Sequence, residues 1–316
     1  SFLHLLCYIR SIGGLRKAAG VGGGAQQDRL AGGAQALSIG MARDLGDQVA
    51  LESPVSRLVQ DAGGVAATTP RGEVRASHAV LAIPPALAAS IVFEPALPLA
   101  RRESWARHRM GATYKAVAFY EAPFWRDDGL SGEVLAPAGP VSAVLDNSAP
   151  GGRPAALVAF AVGRQARELG ERPEGERRAA VLEGLARWFG DRAARPVDFR
   201  EKDWAADPWS GGCPVAAPPP GVLTVFAEDL ARPIGRVHFA GTETATNWNG
   251  FIEGALEAGD RAAREVAAER QAQLATLARQ LEQLKQRKAD AAPTPAVATA
   301  PPEEMRTGQF PEVVGP

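Results

Sequence analysis

The chain is poor in cysteine, histidine, methionine and tyrosine, and each shortage removes a class of protein. Its 316 residues include two cysteines, Cys7 and Cys213, so no disulfide framework staples the fold, and no CxxC or Cys/His cluster suggests zinc. The four histidines, His4, His78, His108 and His238, show neither metal-ligand spacing nor a GxSxG turn nearby, so no hydrolase pattern competes. A formal charge of −1 gives no sequence-wide attraction to nucleic acid or to a membrane surface. No segment reaches the ~20 consecutive apolar residues of a membrane helix. The opening apolar run is not a signal peptide, because Arg10, Arg16 and Lys17 follow it and no basic stretch precedes it. A soluble protein of the reducing cytoplasm is expected. The chain also lacks GxGxxG followed by an acidic residue: Gly22-Gly-Gly24 follows no convincing strand, and Gly32-Gly33 has the wrong spacing.

What is present is a chain of 46% apolar residues, able to bury a large core and to hold two domains. The most informative stretch runs from Val237 to Val266. Val237, Phe239 and Ala240 read as a buried strand end, and Gly241 lets the backbone turn directly into a long helix, with Thr242 or Thr244 as caps. Unpaired N–H groups at such a junction stabilise anionic or electron-rich groups. Gly250, Gly254 and Gly259 leave bare patches on the helix, at about 1 kcal/mol of helix propensity each, so a flat ring system is expected to pack there.

This stretch resembles the C-terminal signature of the flavin-containing amine oxidases, with the monoamine oxidases as the nearest likeness. Upstream, Ser210-Gly-Gly-Cys-Pro-Val-Ala-Ala-Pro-Pro-Pro-Gly221 resembles their cofactor-attachment segment, and Gly111 to Trp125 resembles their active-site lysine strand. Glu52-Ser-Pro-Val55 and Ala82-Ile-Pro-Pro85 resemble two further landmarks, and matching motifs in matching order are far more specific than a lone glycine pattern. The resemblance implies an α/β flavoprotein in which a Rossmann-like FAD-binding domain, incomplete here, is joined to a second, sheet-containing α+β substrate domain. The family's fingerprint lies in an N-terminal portion without counterpart in these residues, so the chain is expected to be the C-terminal part of a larger enzyme. It is similar to the soluble bacterial type, since membrane-anchored members carry an apolar tail.

Period and composition divide the chain. Residues 1–30 form an opening helix and a loop, which the resemblance assigns to the substrate domain. Residues 31–100 hold a helix, about Ala34 to Leu45, then short strands at Val49 to Glu52, Val55 to Gln60, Gly64 to Thr69 and Ala79 to Ala82; this is an FAD-domain segment by resemblance. Residues 101–207 show strands at Lys115 to Tyr120, Ser142 to Asp146 and Ala156 to Val162, then a helix at about Gly175 to Phe189, and correspond to the substrate domain. Residues 208–268 return to the FAD domain. Residues 269–290 continue the helix, with Leu274, Leu277, Leu281 and Leu284 at three-and-four spacing; two heptads are too few for a coiled coil and more often pack on their own protein. The Pro/Ala-rich residues 291–316 are expected to be disordered.

Lys115 is one of five lysines in an Arg-rich chain and sits inside an apolar strand. On its residues alone it reads as a strand-edge lysine; the resemblance implies a catalytic lysine that contacts the flavin through a water and assists its reaction with oxygen. Cys213 alone reads as a small buried hydrophobe, whereas the resemblance matches it to the cysteine that forms a thioether to FAD. Trp204 and Trp248 read singly as core but match tryptophans near the cofactor. The resemblance also lays Val55 beside the adenine end and Thr242, Glu243 and the backbone of Ile252 along the same cofactor, although Glu243 is equally an ordinary first-turn acid. Gln26 matches a substrate-cavity glutamine, yet a loop glutamine is usually just solvated. The chain departs from the monoamine oxidases at Pro214 and Phe251, which stand where they carry the two tyrosines flanking the amine.

The implied reaction is hydride-equivalent transfer from the carbon beside an amine nitrogen to flavin, giving an imine and then an aldehyde, with O2 reduced to hydrogen peroxide. The implied partners are a small-molecule amine and O2, with a homodimer left open. Two alternatives stand beside it. One is an FAD-dependent dehydrogenase or desaturase acting on a non-amine, as Pro214 and Phe251 would allow; the other is a truncated, non-catalytic flavoprotein module.

Overall fold

The computed structural model describes residues 1–20 and 23–290, and the tail expected to be disordered lies outside them. Two compact units result, Ser1–Ala267 and Ala268–Pro316. Among the described residues, no helix is long and apolar enough to cross a membrane.

The first unit opens with helices α1 (Phe2–Ile12), α2 (Leu15–Ala19) and α3 (Gln35–Leu45). Strands β1 (Arg57–Gln60), β2 (Val65–Thr69), β3 (Gly72–Ala76) and β4 (Ala79–Leu81) follow, then α4 (Pro85–Ala88), β5 (Val92–Glu94) and α5 (Leu99–Arg107). The middle of the chain gives β6 (Arg109–Met110), β7 (Thr113–Tyr120), α6 (Phe124–Asp127), β8 (Val134–Leu135), β9 (Ala143–Asp146), β10 (Ala155–Val162), α7 (Arg164–Gly170), α8 (Glu174–Phe189) and β11 (Asp198–Asp203). Then come β12 (Ala216–Ala217), α9 (Val222–Phe226), β13 (Val237–Phe239) and α10 (Ile252–Asp290), which begins before the boundary at Ala267 and ends beyond it.

The largest sheet has the order β11-β7-β10-β9-β8. In β7 the period is strict: Tyr114, Ala116, Ala118 and Tyr120 are buried, whereas Lys115, Val117 and Phe119 lie on the other, half-covered face. The buried face meets Val181, Leu185 and Phe189 of α8 in one core cluster. Its densest point is Trp125, fully buried against Tyr120, Phe124 and Phe189 at ring separations of 5.7, 5.2 and 6.4 Å. An indole buried this far contributes about 2–3 kcal/mol, and its Nε1 donates to Asp146 Oδ2 at 2.9 Å, so no polar atom is stranded.

A second core cluster joins β1, β2, β4, α5 and β13 through Leu58, Val65, Leu81, Trp105, Val237 and Phe239. β13 pairs parallel with β4, Val237 to Ala79 and Phe239 to Leu81. Arg101 of α5 is buried under this pair, with its guanidinium 4.1 Å from the Phe239 ring centre and donating to the carbonyls of Asp229 and Arg232.

Four local expectations change. Val49 to Glu52 is not a strand; the chain leaves a 3-10 turn at Gly46–Gln48 and bends through Glu52 at φ 54. β3, whose five residues are all exposed, and charged β11 carry no apolar alternation, and both exist because a partner strand pairs with them. The helix does not start at Gly241: a 3-10 turn at Thr242–Thr244 and an irregular stretch come first, and α10 begins at Ile252. In the second unit the four leucines are 55–61% exposed among the described residues.

Candidate active site

The site is built around the open face of β7. Lys115 projects from it half-buried, with its Nζ 5.5 Å from the centre of the Phe160 ring on the neighbouring strand β10. On the other side, β11 pairs Lys202 directly with Lys115, and the chain leaves β11 into Trp204, whose N–H donates to Thr113 O at 3.1 Å. The half-buried Trp204 ring carries Lys202 Nζ 5.3 Å from its centre.

Cys213 reaches the same face by backbone contact. Cys213 N–H donates to Gly111 O at 2.9 Å, Gly111 N–H to Val215 O at 3.2 Å, and the Thr113 hydroxyl to Cys213 O at 3.0 Å. The approach is so close that a Cβ on Gly111 would stand 2.3 Å from Cys213 O, and one on Gly212 would stand 2.3 Å from Gly111 O. Gly212 also holds φ 149, which an L side chain would strain. Burial pushes the Cys213 thiol up from its ordinary value, while Thr113 and the Lys115 ammonium pull it back. The half-buried thiol therefore lies within electrostatic reach of the Lys115 ammonium.

Asp207 organises the turn before Cys213. Its Oδ1 accepts from Trp209 N, Ser210 N and Ser210 Oγ at 3.0, 2.9 and 2.8 Å, and its Oδ2 accepts from Lys202 Nζ at 2.6 Å. Lys202 first, then the Ser210 and Trp209 donors, hold this carboxyl far below the usual carboxylate range. At the other end of the segment, buried Glu243 accepts Ala216 N–H at 3.0 Å.

The signature residues form a neighbouring knot. Thr242 Oγ1 accepts Gly250 N–H at 2.6 Å and donates to Phe251 O at 3.0 Å, so the threonine closes the irregular stretch instead of capping a helix. Gly254 is filled by that stretch rather than by a ring system, since a Cβ there would meet Trp248 O at 2.3 Å, and Gly259 has nothing within 4 Å. Trp248, at φ 53, sits edge-on to Phe251 at 5.5 Å, and Tyr8 of α1 stacks on Phe251 at 5.9 Å and 23°. Tyr8 and Glu243 line a cavity of about 410 Å³ against α1.

The predicted residues thus separate into groups. Lys115 and Cys213 come together, with Pro214 exposed beside Gly111, while Trp204 is tied to the same strand through its backbone bond to Thr113. Thr242, Trp248 and Phe251 form the knot, from which Ile252 points out, 51% exposed. Val55 lines a separate apolar pocket of about 390 Å³ with Pro54, Val80, Ile83, Leu87 and Trp209. Leu87 also touches the position of a Cβ on Gly211, so this pocket abuts the Cys213 turn. Gln26 is exposed in the loop after α2. The sequence reading missed Thr113, Phe160, Lys202, Asp207 and Tyr8. Their one available signal was that Lys202 is a second strand lysine in a lysine-poor chain.

Comparison with known proteins gives the family. The model of the flavin containing amine oxidoreductase family matches residues 6–267. The chain belongs to this family. It is 40% identical over 270 residues to the flavin-containing amine oxidase of Danio rerio, and 37% identical over 270 residues to amine oxidase B of Canis lupus familiaris; each match covers 84% of this chain. Among solved structures, cyclohexylamine oxidase from Brevibacterium oxydans IH-35A superposes with a TM-score of 0.79 at 37% identity over 86% of this chain, and putrescine oxidase with 0.72 at 34% identity over 75%. The chain spans 52% of each of the two curated relatives, 60% of the cyclohexylamine oxidase and 53% of the putrescine oxidase. The mixed α/β architecture is that of flavin amine oxidases.

Proposed function

We propose that the protein carrying this chain oxidises a small amine with FAD, releasing an imine that hydrolyses to an aldehyde and passing the electrons to O2 as hydrogen peroxide. The observation that supports this most is that the turn carrying Cys213 is held on the start of β7, the strand of Lys115, whose ammonium acts on the thiol. When bound, FAD supplies the two-electron acceptor. The chain's own residues would hold and surround it. Lys115 would place its side-chain nitrogen toward the ring, Trp204 would form a flat wall, and Cys213 is the candidate covalent anchor. Val55 and its apolar pocket receive the adenine end, within a Rossmann-like unit formed around the parallel β4/β13 pair. Thr242, Glu243, Trp248 and Ile252 border the cofactor further along.

Residues 31–100 and 208–268 are the FAD-binding segments in this reading, and residues 1–30 and 101–207 belong to the substrate side. Pro214 and Phe251 carry no hydroxyl, so the amine would meet an apolar rim and depend on exclusion of water for its orientation. Cys7 and Cys213, both free, suit a reducing cytoplasm.

The test is an absorption spectrum of the full-length protein before and after acid precipitation, followed by a panel of primary amines with peroxide detection. Yellow colour retained in the pellet and lost in Cys213→Ser supports the anchor, and colour in the supernatant keeps the flavin without it. A protein that FAD cannot reconstitute overturns the reading. Reduction of bound flavin by non-amines alone would transfer it to a dehydrogenase.

A further inference from the structure

Carboxylates pin the segment that carries Cys213 from both ends. Glu243 holds Ala216, while Asp207 gathers three donors of the Trp209–Ser210 turn on one oxygen. What sets Asp207 apart is its second oxygen. It accepts from Lys202, and Lys202 lies directly across from Lys115 in the β11–β7 register. One carboxylate therefore ties the thiol-bearing turn to the strand pair that presents the ammonium.

The pairing also has an electrostatic side. Two lysines opposite each other on one face of a sheet repel, and Asp207 offsets the charge of one of them. Among the described residues Lys115 forms no salt bridge; its Nζ stands 5.5 Å from the Phe160 ring centre, and its charge acts on the Cys213 thiol.

We propose that Asp207 and Lys202 act as a positioning pair that sets the Cys213 thiol against Lys115. Neither touches the reacting atoms; they act through the turn and through Lys202's place on β11. The geometric part concerns the chain alone, and its catalytic consequence rests on the flavin reading above.

The experiment follows alkylation of Cys213 by iodoacetamide in full-length protein prepared without flavin, quantified by mass spectrometry of the peptide that carries it. Lys202→Met is expected to raise the labelling rate about five-fold, as loss of one net hydrogen bond does to an opening equilibrium, and Asp207→Ala, which removes four, by more than that; Lys202→Arg is expected to restore the rate to within about two-fold of the parent. A role confined to the turn would move Asp207→Ala and leave Lys202→Met unchanged, and that result overturns the pair. Unchanged labelling in both variants overturns it as well. Should Asp207→Ala fail to fold, Lys202→Met at a half-exposed side chain still decides. Labelling needs no flavin, so a failed amine reading and a failed positioning pair give different results.

Discussion

The hydroxyl of Thr113 donates to the carbonyl of Cys213 across 3.0 Å, joining the start of β7 to a turn one hundred residues later in the chain. Thr113 is buried, so its removal leaves a carbonyl short of a partner rather than returning it to water. Thr113→Val is expected to destabilise by about 1–2 kcal/mol, which at this chain length lowers the melting temperature by about 2–6 °C. Thermal unfolding followed by circular dichroism measures it, and an unchanged midpoint would show that the Gly111 and Asp207 bonds hold the turn unaided.

Lys115→Met keeps the length of the side chain and deletes its charge. If the ammonium serves the reaction with oxygen, the variant reduces its flavin with amine anaerobically at a rate near that of the parent, while reoxidation slows by about a hundred-fold. Stopped-flow traces of the two half-reactions separate these effects. Equal losses in both would assign Lys115 to amine binding instead.

Burial pushes the Asp146 carboxyl up, but hydrogen bonds from Arg126, Ser148 and Trp125 outweigh it and lower its pKa to about 2. A carboxyl depressed on folding adds stability that is fully present above its unfolded value near 3.8 and is lost as pH falls toward 2. The contribution is about 1–2 kcal/mol. Urea midpoints of the parent should therefore fall more steeply from pH 4 to pH 2.5 than those of Asp146→Asn, and parallel curves would refute this.

Gly254 and Gly259 make a matched pair on α10. A Cβ at Gly254 would meet the Trp248 carbonyl at 2.3 Å, whereas one at Gly259 meets nothing within 4 Å. Gly254→Ala is expected to destabilise by about 2–4 kcal/mol, and Gly259→Ala to stabilise by about 1 kcal/mol through helix propensity. Denaturant titration of both variants checks the sign as well as the size.

How much of this was legible in the sequence depended on whether the signal was local. β10, with seven buried or half-buried residues in eight, and α8, with acids in its first turn and Arg187 in its last, announce themselves by period and caps. The strand of Lys115 was legible for the same reason. β11 was not, because Asp-Phe-Arg-Glu-Lys-Asp carries its apolar support on β7, and no pattern within six residues encodes a partner eighty positions away. Lys202 was therefore unplaced, and with it the role of Asp207. Tyr8 was hidden likewise, since its stacking on Phe251 comes from tertiary packing of α1. The long helix was placed nine residues too early because Thr242, a good cap by residue type, spends its oxygen on Gly250 and Phe251.

The backbones at Gly111 and at Gly212–Cys213 each occupy the volume that a side chain on the other would need. Strand and turn are thereby keyed like two halves of a hinge pin, with no compressible layer between them. Exposed side chains such as Pro214 can change in size over evolutionary time, while the spacing of strand and turn stays under a separate backbone constraint that side-chain exchange cannot relax.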